Sequence, residues 1–280
     1  MDNYQLTQDQ ITAYGVCLRT EEHTPSTIEK YLRDTRAFAV WLEGRPVTRE
    51  LAAEWRDRLL SSGHKPSTVN SMLAAVNGLF RFLGWGIRVK FLKVQRRLFR
   101  DQSQELTRGE YDLLVNTARA AGKERLALLM EAVCATGVRV SEVKYLTVEA
   151  AQCGRAEIAL KGKIRMILLP NKLCRKLLKY ARKQKIASGE IFLTRSGRSL
   201  SRRQIWAEMK QLCKATGVAS EKVYPHNLRH LFARTFYQAC KDIARLADVL
   251  GHSSIETTRI YLVTTGAEQV RQLDRLGLVS

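Results

Sequence analysis

Five short segments carry side chains whose types and spacing suit chemistry on an anion. In Thr136-Gly137-Val138-Arg139-Val140-Ser141-Glu142 an arginine follows a glycine break where a helix is about to start. A guanidinium can grip two phosphate oxygens at once, and Glu142, three residues on, could orient it. An Arg–Glu pair on a solvated helix is the plainer alternative. In Pro225-His226-Asn227-Leu228-Arg229-His230, His226 and Arg229 sit three apart at a helix start and share a face. Free backbone N–H groups there also favour an anion. His226 and His230, four apart, could instead hold a metal, but no Glu follows the first His and no third ligand suggests itself. Leu250-Gly251-His252-Ser253-Ser254 puts a histidine on a tight turn, where a satisfied structural His is the default. Tyr261 is one of nine tyrosines, and Lys161 stands in a basic stretch where a lysine is ordinarily a surface charge.

The elements that must hold these residues fall into two groups. The first part of the chain reads as helices only. Thr24-Pro25-Ser26-Thr27 is a start signal, a hydroxyl cap with proline in the first turn, and Lys65-Pro66-Ser67-Thr68 repeats it. Ile28, Tyr31, Leu32, Thr35, Phe38 and Leu42 fall at three- and four-residue spacing after the first signal. Val69, Met72, Leu73, Val76 and Phe80 do so after the second. With helices around Ile11 to Leu18 and from Thr48 to near Gly63, this predicts a four-helix unit over residues 1–84. Residues 85–104 form a basic connector, with seven Lys or Arg and no acid between Arg81 and Arg100. Residues 105–280 predict a mixed α+β domain that opens on the capping box Thr107-x-x-Glu110. Its β-rich segments, Ala156 to Leu160 and Met166 to Leu169, flank a hairpin turn at Lys161-Gly162-Lys163. A short strand is expected at Ile191-Phe192. From Pro225 a run of helices should break at Gly251 and near Gly266. The fold class is therefore mainly α, with a small β-sheet in the second domain.

Composition narrows the partners. Forty-seven Lys and Arg against 27 Asp and Glu give a formal charge of +20. Residues 1–105 carry 16 basic and 12 acidic side chains, and residues 106–280 carry 31 and 15, so most of the excess lies in the second part. Such an excess points to a polyanion, nucleic acid ahead of an acidic membrane surface. Six scattered cysteines show no ligand or disulfide spacing, which fits a reducing cytosol. The polar N-terminus is not a signal peptide, and no apolar run approaches the roughly 18 residues of a membrane span. A cytoplasmic location is expected.

Taken together, the five segments resemble the tyrosine recombinase (phage integrase, Xer-type) family. That family carries A-T-G-x-R-x-S-E, a hairpin lysine, H-x-L-R-H, L-G-H-S and a T-x-x-Y tyrosine in this order. They stand here as Ala135 to Glu142, Lys161, His226 to His230, Leu250 to Ser253 and Thr258 to Tyr261, with nine residues from His252 to Tyr261. The resemblance covers almost the whole chain, in the two-domain form without an arm-binding domain. It implies a core-binding domain at 1–84, an interdomain linker at 85–104 and a catalytic domain with a C-terminal tail helix at 105–280.

The chemistry so implied is phosphoryl transfer without cofactor or metal: Tyr261 attacks a DNA phosphodiester, leaving a 3′-phosphotyrosine and a free 5′-hydroxyl. Arg139 and Arg229 would clamp the phosphate, His252 would donate to a non-bridging oxygen, and His226 would take or relay the tyrosine proton. Lys161 is the expected acid for the leaving 5′-oxygen, with Lys163 the alternative. Glu142 and His230 would support from behind, and Thr258 and Arg259 receive no part. The implied partners are double-stranded DNA with a specific recombination site, three further copies of the chain in a synaptic complex that passes through a Holliday junction, and possible accessory proteins. Val270, Leu273 and Leu276 would form the tail helix, docked on a neighbour or on its own domain. Two other functions share features of the pattern. A type IB topoisomerase has a similar active site, and Asp242 to Gly251 with Ser254 to Tyr261 resembles the helix-turn-helix of a non-catalytic regulator.

Overall fold

The computed structural model describes residues 4–94, 102–160, 163–261, 270–271 and 274–277. The chain divides into two compact units, Met1–Arg96 and Arg97–Ser280.

In the first unit, four helices follow one another: α1 (Gln8–Thr20), α2 (Pro25–Leu42), α3 (Arg49–Ser61) and α4 (Pro66–Phe82). Both Pro-Ser-Thr signals place proline in the first turn, where its missing N–H has no helical partner to lose. The Thr24 hydroxyl does not cap the backbone as expected; it pairs with the Thr27 hydroxyl at 2.9 Å. The apolar stripes meet around Phe38, which takes Trp55 and Phe80 edge-on at centroid distances of 5.0 and 5.8 Å. After α4 the chain stays on this unit. The Asn77 side-chain amide exchanges two hydrogen bonds of 2.9 Å with the Val89 backbone, and Asn70 does the same with Leu92 at 2.9 and 2.8 Å. Two side-chain amides thus imitate the ladder of a strand and fix the start of the basic stretch along α4. Residues 95–101 of that stretch lie outside the described residues.

The second unit opens with α5 (Arg108–Ala120), and both bonds of the Thr107–Glu110 capping box are present. The apolar helix α6 (Glu124–Thr136) ends where Gly137 turns left-handed at φ 65°. A Cβ at Gly137 would also strike the Phe232 ring, so the position needs glycine for two reasons. The helix expected after Gly137 is a tight 3-10 turn, Val140–Tyr145, and a short α7 (Val148–Cys153) that sequence reading did not anticipate follows it. Strands β1 (Arg155–Leu160) and β2 (Lys163–Leu168) pair antiparallel with Leu160 opposite Lys163. Lys161 and Gly162 between the strands lie outside the described residues, and β2 starts three residues earlier than expected. Helices α8 (Asn171–Lys183), α9 (Arg202–Thr216), α10 (Pro225–Cys240), α11 (Ile243–Leu250) and α12 (Ile255–Arg259) follow.

Ile191 and Phe192 do not form the expected strand. Both are core residues, and the segment makes isolated bridges, Thr147 with Glu190 and Leu193 with Ser199. Burial accounts for their apolar character without a sheet. The chain breaks at Gly251 as expected; Gly266 and Leu273 lie outside the described residues. Among the described residues no helix is long and apolar enough to cross a membrane.

Candidate active site

Arg229 is the centre of the site. It lies one turn into α10 and its side chain is 1% exposed, the largest fully buried side chain of the described chain. A guanidinium so placed must have its donors met. One Nη donates to the Gly137 carbonyl, and the other to the Leu250 carbonyl at 2.8 Å and to His252 Nε2 at 3.0 Å. The left-handed turns at Gly137 and Gly251 are what bring these distant backbone segments to one side chain. Arg229 Nε is buried without a partner, leaving a donor that the protein itself does not use.

Arg139 stands at the entrance to the 3-10 turn. Its Nη1 donates to Glu142 Oε1 at 2.9 Å, its backbone N–H to Glu142 Oε2 at 2.8 Å, and its Nη2 to the Gly251 carbonyl at 3.3 Å. Glu142 is 2% exposed, so the Arg139–Glu142 pair is no solvated helix pair. Glu142 also accepts from Arg165 Nη2 at 2.6 Å. Sequence reading passed over Arg165. The signal was present: in β2, Ile167 is buried while Ile164, Met166 and Leu168 are exposed, which sets Arg165 on the inward register.

His252 shows its proton state by its partners. Arginine has no acceptor, so His252 Nε2 accepts from Arg229 and the proton sits on Nδ1, which donates to Thr258 Oγ1 at 2.9 Å. Thr258, fully buried and given no part by sequence reading, therefore fixes the tautomer. Burial and then the Arg229, Arg139 and Arg165 charges hold the His252 pKa down to about 4. Burial, Arg229 and Arg139 also lower His226. For Arg229, burial and Arg139 pull the pKa to about 10, opposed by a hydrogen bond with Tyr261.

Tyr261 follows α12 and is 4% exposed, packed with Ala233, Leu246 and Leu250. Its ring stacks on His252 at 5.9 Å and 12°, takes His230 edge-on at 4.6 Å, and lies 6.5 Å from His226. His226 and His230 contact each other at 4.6 Å. Seven of the eight residues singled out by type and spacing are thus brought together: Arg139, Glu142, His226, Arg229, His230, His252 and Tyr261. Lys161 lies outside the described residues.

A tyrosine packed among His226, His230 and His252, with Arg229 next to it and Arg139 on the adjoining Gly251 carbonyl, is equipped for nucleophilic attack on a phosphate ester. Comparison with known proteins agrees. The model of the phage integrase family matches residues 104–267, more than half of the chain, and that of the phage integrase N-terminal SAM-like domain matches residues 11–86. The chain belongs to the phage integrase family. The tyrosine recombinase XerC of Roseiflexus castenholzii is 31% identical, over 90% of this chain and 88% of its own length. The tyrosine recombinase XerA of Thermococcus kodakarensis is 28% identical, over 91% and 90%. Among solved structures, a lambda integrase tetramer bound to a Holliday junction superposes with a TM-score of 0.74 at 19% identity, covering 93% of this chain and 78% of that one. Membership makes the chain a tyrosine site-specific recombinase, an enzyme that breaks and rejoins DNA, and the topoisomerase and regulator alternatives are not favoured.

Proposed function

We propose that this chain cuts and rejoins double-stranded DNA at a specific recombination site through a 3′-phosphotyrosyl bond to Tyr261. Four copies would act together and exchange strands through a Holliday junction, in the cytoplasm where the DNA lies. The observation that carries the reading is the gathering of His226, His252 and Arg229 about the tyrosine just after α12, with Arg139 bound to the carbonyl next to His252.

In the first step the Tyr261 hydroxyl oxygen forms a bond to phosphorus and the bond from phosphorus to the 5′-oxygen breaks. The tyrosine proton passes to His226, and the leaving 5′-oxygen takes a proton from Lys161, or from Lys163 if the hairpin presents that residue instead. Arg139 and Arg229 clamp the non-bridging oxygens as charge builds on them. His252 donates to one of them once the phosphate draws Arg229 off its Nε2 and that nitrogen gains a proton. In the second step a 5′-hydroxyl from another strand attacks phosphorus and releases the tyrosine. The energy of the phosphodiester stays in the covalent intermediate throughout. The helical unit at 1–84 and the basic stretch at 85–104 would supply DNA contacts outside the chemistry, and the excess charge of 105–280 most phosphate contacts. Affinity should then fall steeply with salt.

A nicked duplex that traps the covalent intermediate tests this, its site taken by selection from a randomised duplex library on the wild-type chain. Wild type should become attached to the DNA, and Tyr261→Phe should not. An adduct formed by Tyr261→Phe would remove Tyr261 as nucleophile. Lys161→Ala should regain cleavage on a 5′-bridging phosphorothiolate, whose leaving group needs no proton; rescue of Lys163→Ala alone would move the acid to Lys163.

A further inference from the structure

Glu142 poses an electrostatic problem for a phosphate clamp. It is a buried carboxylate in direct contact with Arg139, so it opposes the charge that Arg139 presents to a phosphate. Where water is excluded, such an opposing charge is weakly screened. Arg165 touches the same carboxylate from the other side. Its side chain is 16% exposed, its Nη2 lies 2.6 Å from Glu142 Oε2, and its Nη1 donates to the Val249 carbonyl at 3.4 Å. The stem of Arg165 runs so close to Gly251 that any Cβ there would collide with it. Gly251 thus serves the left-handed turn before His252 and the passage of Arg165 at once. Arg165 Nε is buried without a partner, so the group is held for its charge and two contacts, not for a complete set of hydrogen bonds.

We propose that Arg165 is a further positioning residue of the reaction, which offsets Glu142 so that the full charge of Arg139 and Arg229 reaches the phosphate. The inference rests on the functional reading of Tyr261 and its clamp. Among the described residues, the three guanidinium groups and one carboxylate leave a net formal charge of +2 at the site. A phosphodiester carries one negative charge, and the five-coordinate state formed as a deprotonated tyrosine attacks carries two. With Arg165 present the cluster matches the transition state more closely than the ground state, which is what accelerates a reaction. Without it the cluster falls to +1. Arg165 touches no reacting atom in this scheme; it works through Glu142 and through the Val249 to Gly251 backbone against which Arg139 and Arg229 are also bound.

Single-turnover adduct formation on the trapping duplex, at saturating DNA and with folding verified by melting temperature, separates charge balance from simple scaffolding. Arg165→Gln should lower the rate roughly 100-fold, the scale of losing one preorganised electrostatic contact. Arg165→Lys, which keeps the charge, should stay within about 10-fold of wild type. The deciding variant is the double Glu142→Gln/Arg165→Gln, which restores the net +2: it should regain at least about 10-fold over Arg165→Gln alone, in the manner of strongly coupled neighbours. A double variant as slow as Arg165→Gln, or slower, overturns the proposal, and so does a Lys variant as slow as the Gln variant. If Arg165→Gln does not fold, the ranking of Arg165→Lys against Arg165→Met/Glu142→Gln still decides, since scaffolding favours the first alone. Failure of wild type itself to form the adduct would sink the functional reading before any Arg165 variant is compared.

Discussion

Among the described residues each unit buries one carboxylate between two cations, and the two clusters are built in different ways. In the first unit Asp34, 3% exposed, is held by Lys30 at 2.6 Å and Arg33 at 3.2 Å. Both cations come from the helix that carries the aspartate, and the Arg33 side chain is 72% exposed. In the second unit Glu142 is held by Arg139 and Arg165, the second from a strand 23 residues away, and Arg229, from α10, is bound to the Leu250 carbonyl, between the Val249 and Gly251 carbonyls that Arg165 and Arg139 reach. The first cluster draws its ion pairs from one helix turn, with a single tie to another helix, from Lys30 Nζ to the Ser71 carbonyl of α4 at 3.3 Å. The second exists only when the Gly137 turn, the β1–β2 pair and the turn after α11 are in place. The chemistry proposed for this chain falls on the cluster whose charge is gathered from far apart, a kind that is costly to build and can be held out of water.

The sharpest way to break the comparison is at its centre. Arg229→Lys keeps one charge but cannot span the Gly137 and Leu250 carbonyls and His252 together. Single-turnover adduct formation should fall on the order of 10³-fold. A loss under about 10-fold would mean that Arg229 fills space and does not clamp. Next in size is stability. Glu142→Ala leaves Arg165 and Arg139 with their carboxylate gone and should cost about 3 kcal/mol in denaturant unfolding, since breaking a buried ion pair is far worse than never having it. A cost of a few tenths of a kcal/mol would show that the cluster relaxes into solvent as the Asp34 cluster can.

The same contrast explains what could be read in advance. Arg139, His226, Arg229, His252 and Tyr261 stand in short ordered motifs, so their types and spacing announced them without a structure. The helices were legible for a similar reason: the Pro-Ser-Thr starts and the Thr107–Glu110 box are local signals, and the apolar stripes repeat within one element. What stayed hidden depends on contacts between remote segments. Thr258 fixes the His252 tautomer only because a turn folds back over six residues. Gly137 read as a helix stop, but its need to clear Phe232 is a matter of packing across 95 residues. Arg165 lies between these cases. Its place on the inward register was visible in the alternation of β2, yet one charged residue among apolar neighbours looked like a basic surface strand until Glu142 was placed beside it. Ile191 and Phe192 misled in the other direction, since apolar β-branched and aromatic pairs suit a core loop as well as a strand.

Titration gives a smaller effect that only the second cluster should show. The unfolded chain binds a proton at His252 near pH 6.5, whereas the folded chain resists it until about pH 4. The lowered His226 acts in the same direction. The stability held by the neutral imidazoles is therefore fully present above pH 6.5 and lost progressively as the pH falls toward 4. Melting temperatures across that range should decline less steeply in His252→Asn than in wild type; parallel curves would contradict the depressed pKa. A bound phosphate reverses the field at His252, so DNA binding should take up protons below about pH 6.5, measurable by calorimetry in buffers of different ionisation enthalpy.

The smallest change belongs to the first unit. Asp34→Asn keeps the shape and most of the hydrogen bonding of the buried group, while its former partners Lys30 and Arg33 reach solvent from the surface of α2. Because cations that can rehydrate lose little, the variant should be destabilised by only about 1 kcal/mol. Its adduct rate at saturating DNA should remain within about 2-fold of wild type. The decisive quantity is the ratio between the two carboxylates: Glu142→Ala should cost several times more stability than Asp34→Asn and should also slow the chemistry. If Asp34→Asn instead matched Glu142→Ala in both stability and rate, burial of the carboxylate alone would set the cost. Gathering charge from distant segments would then confer nothing that a single helix turn does not.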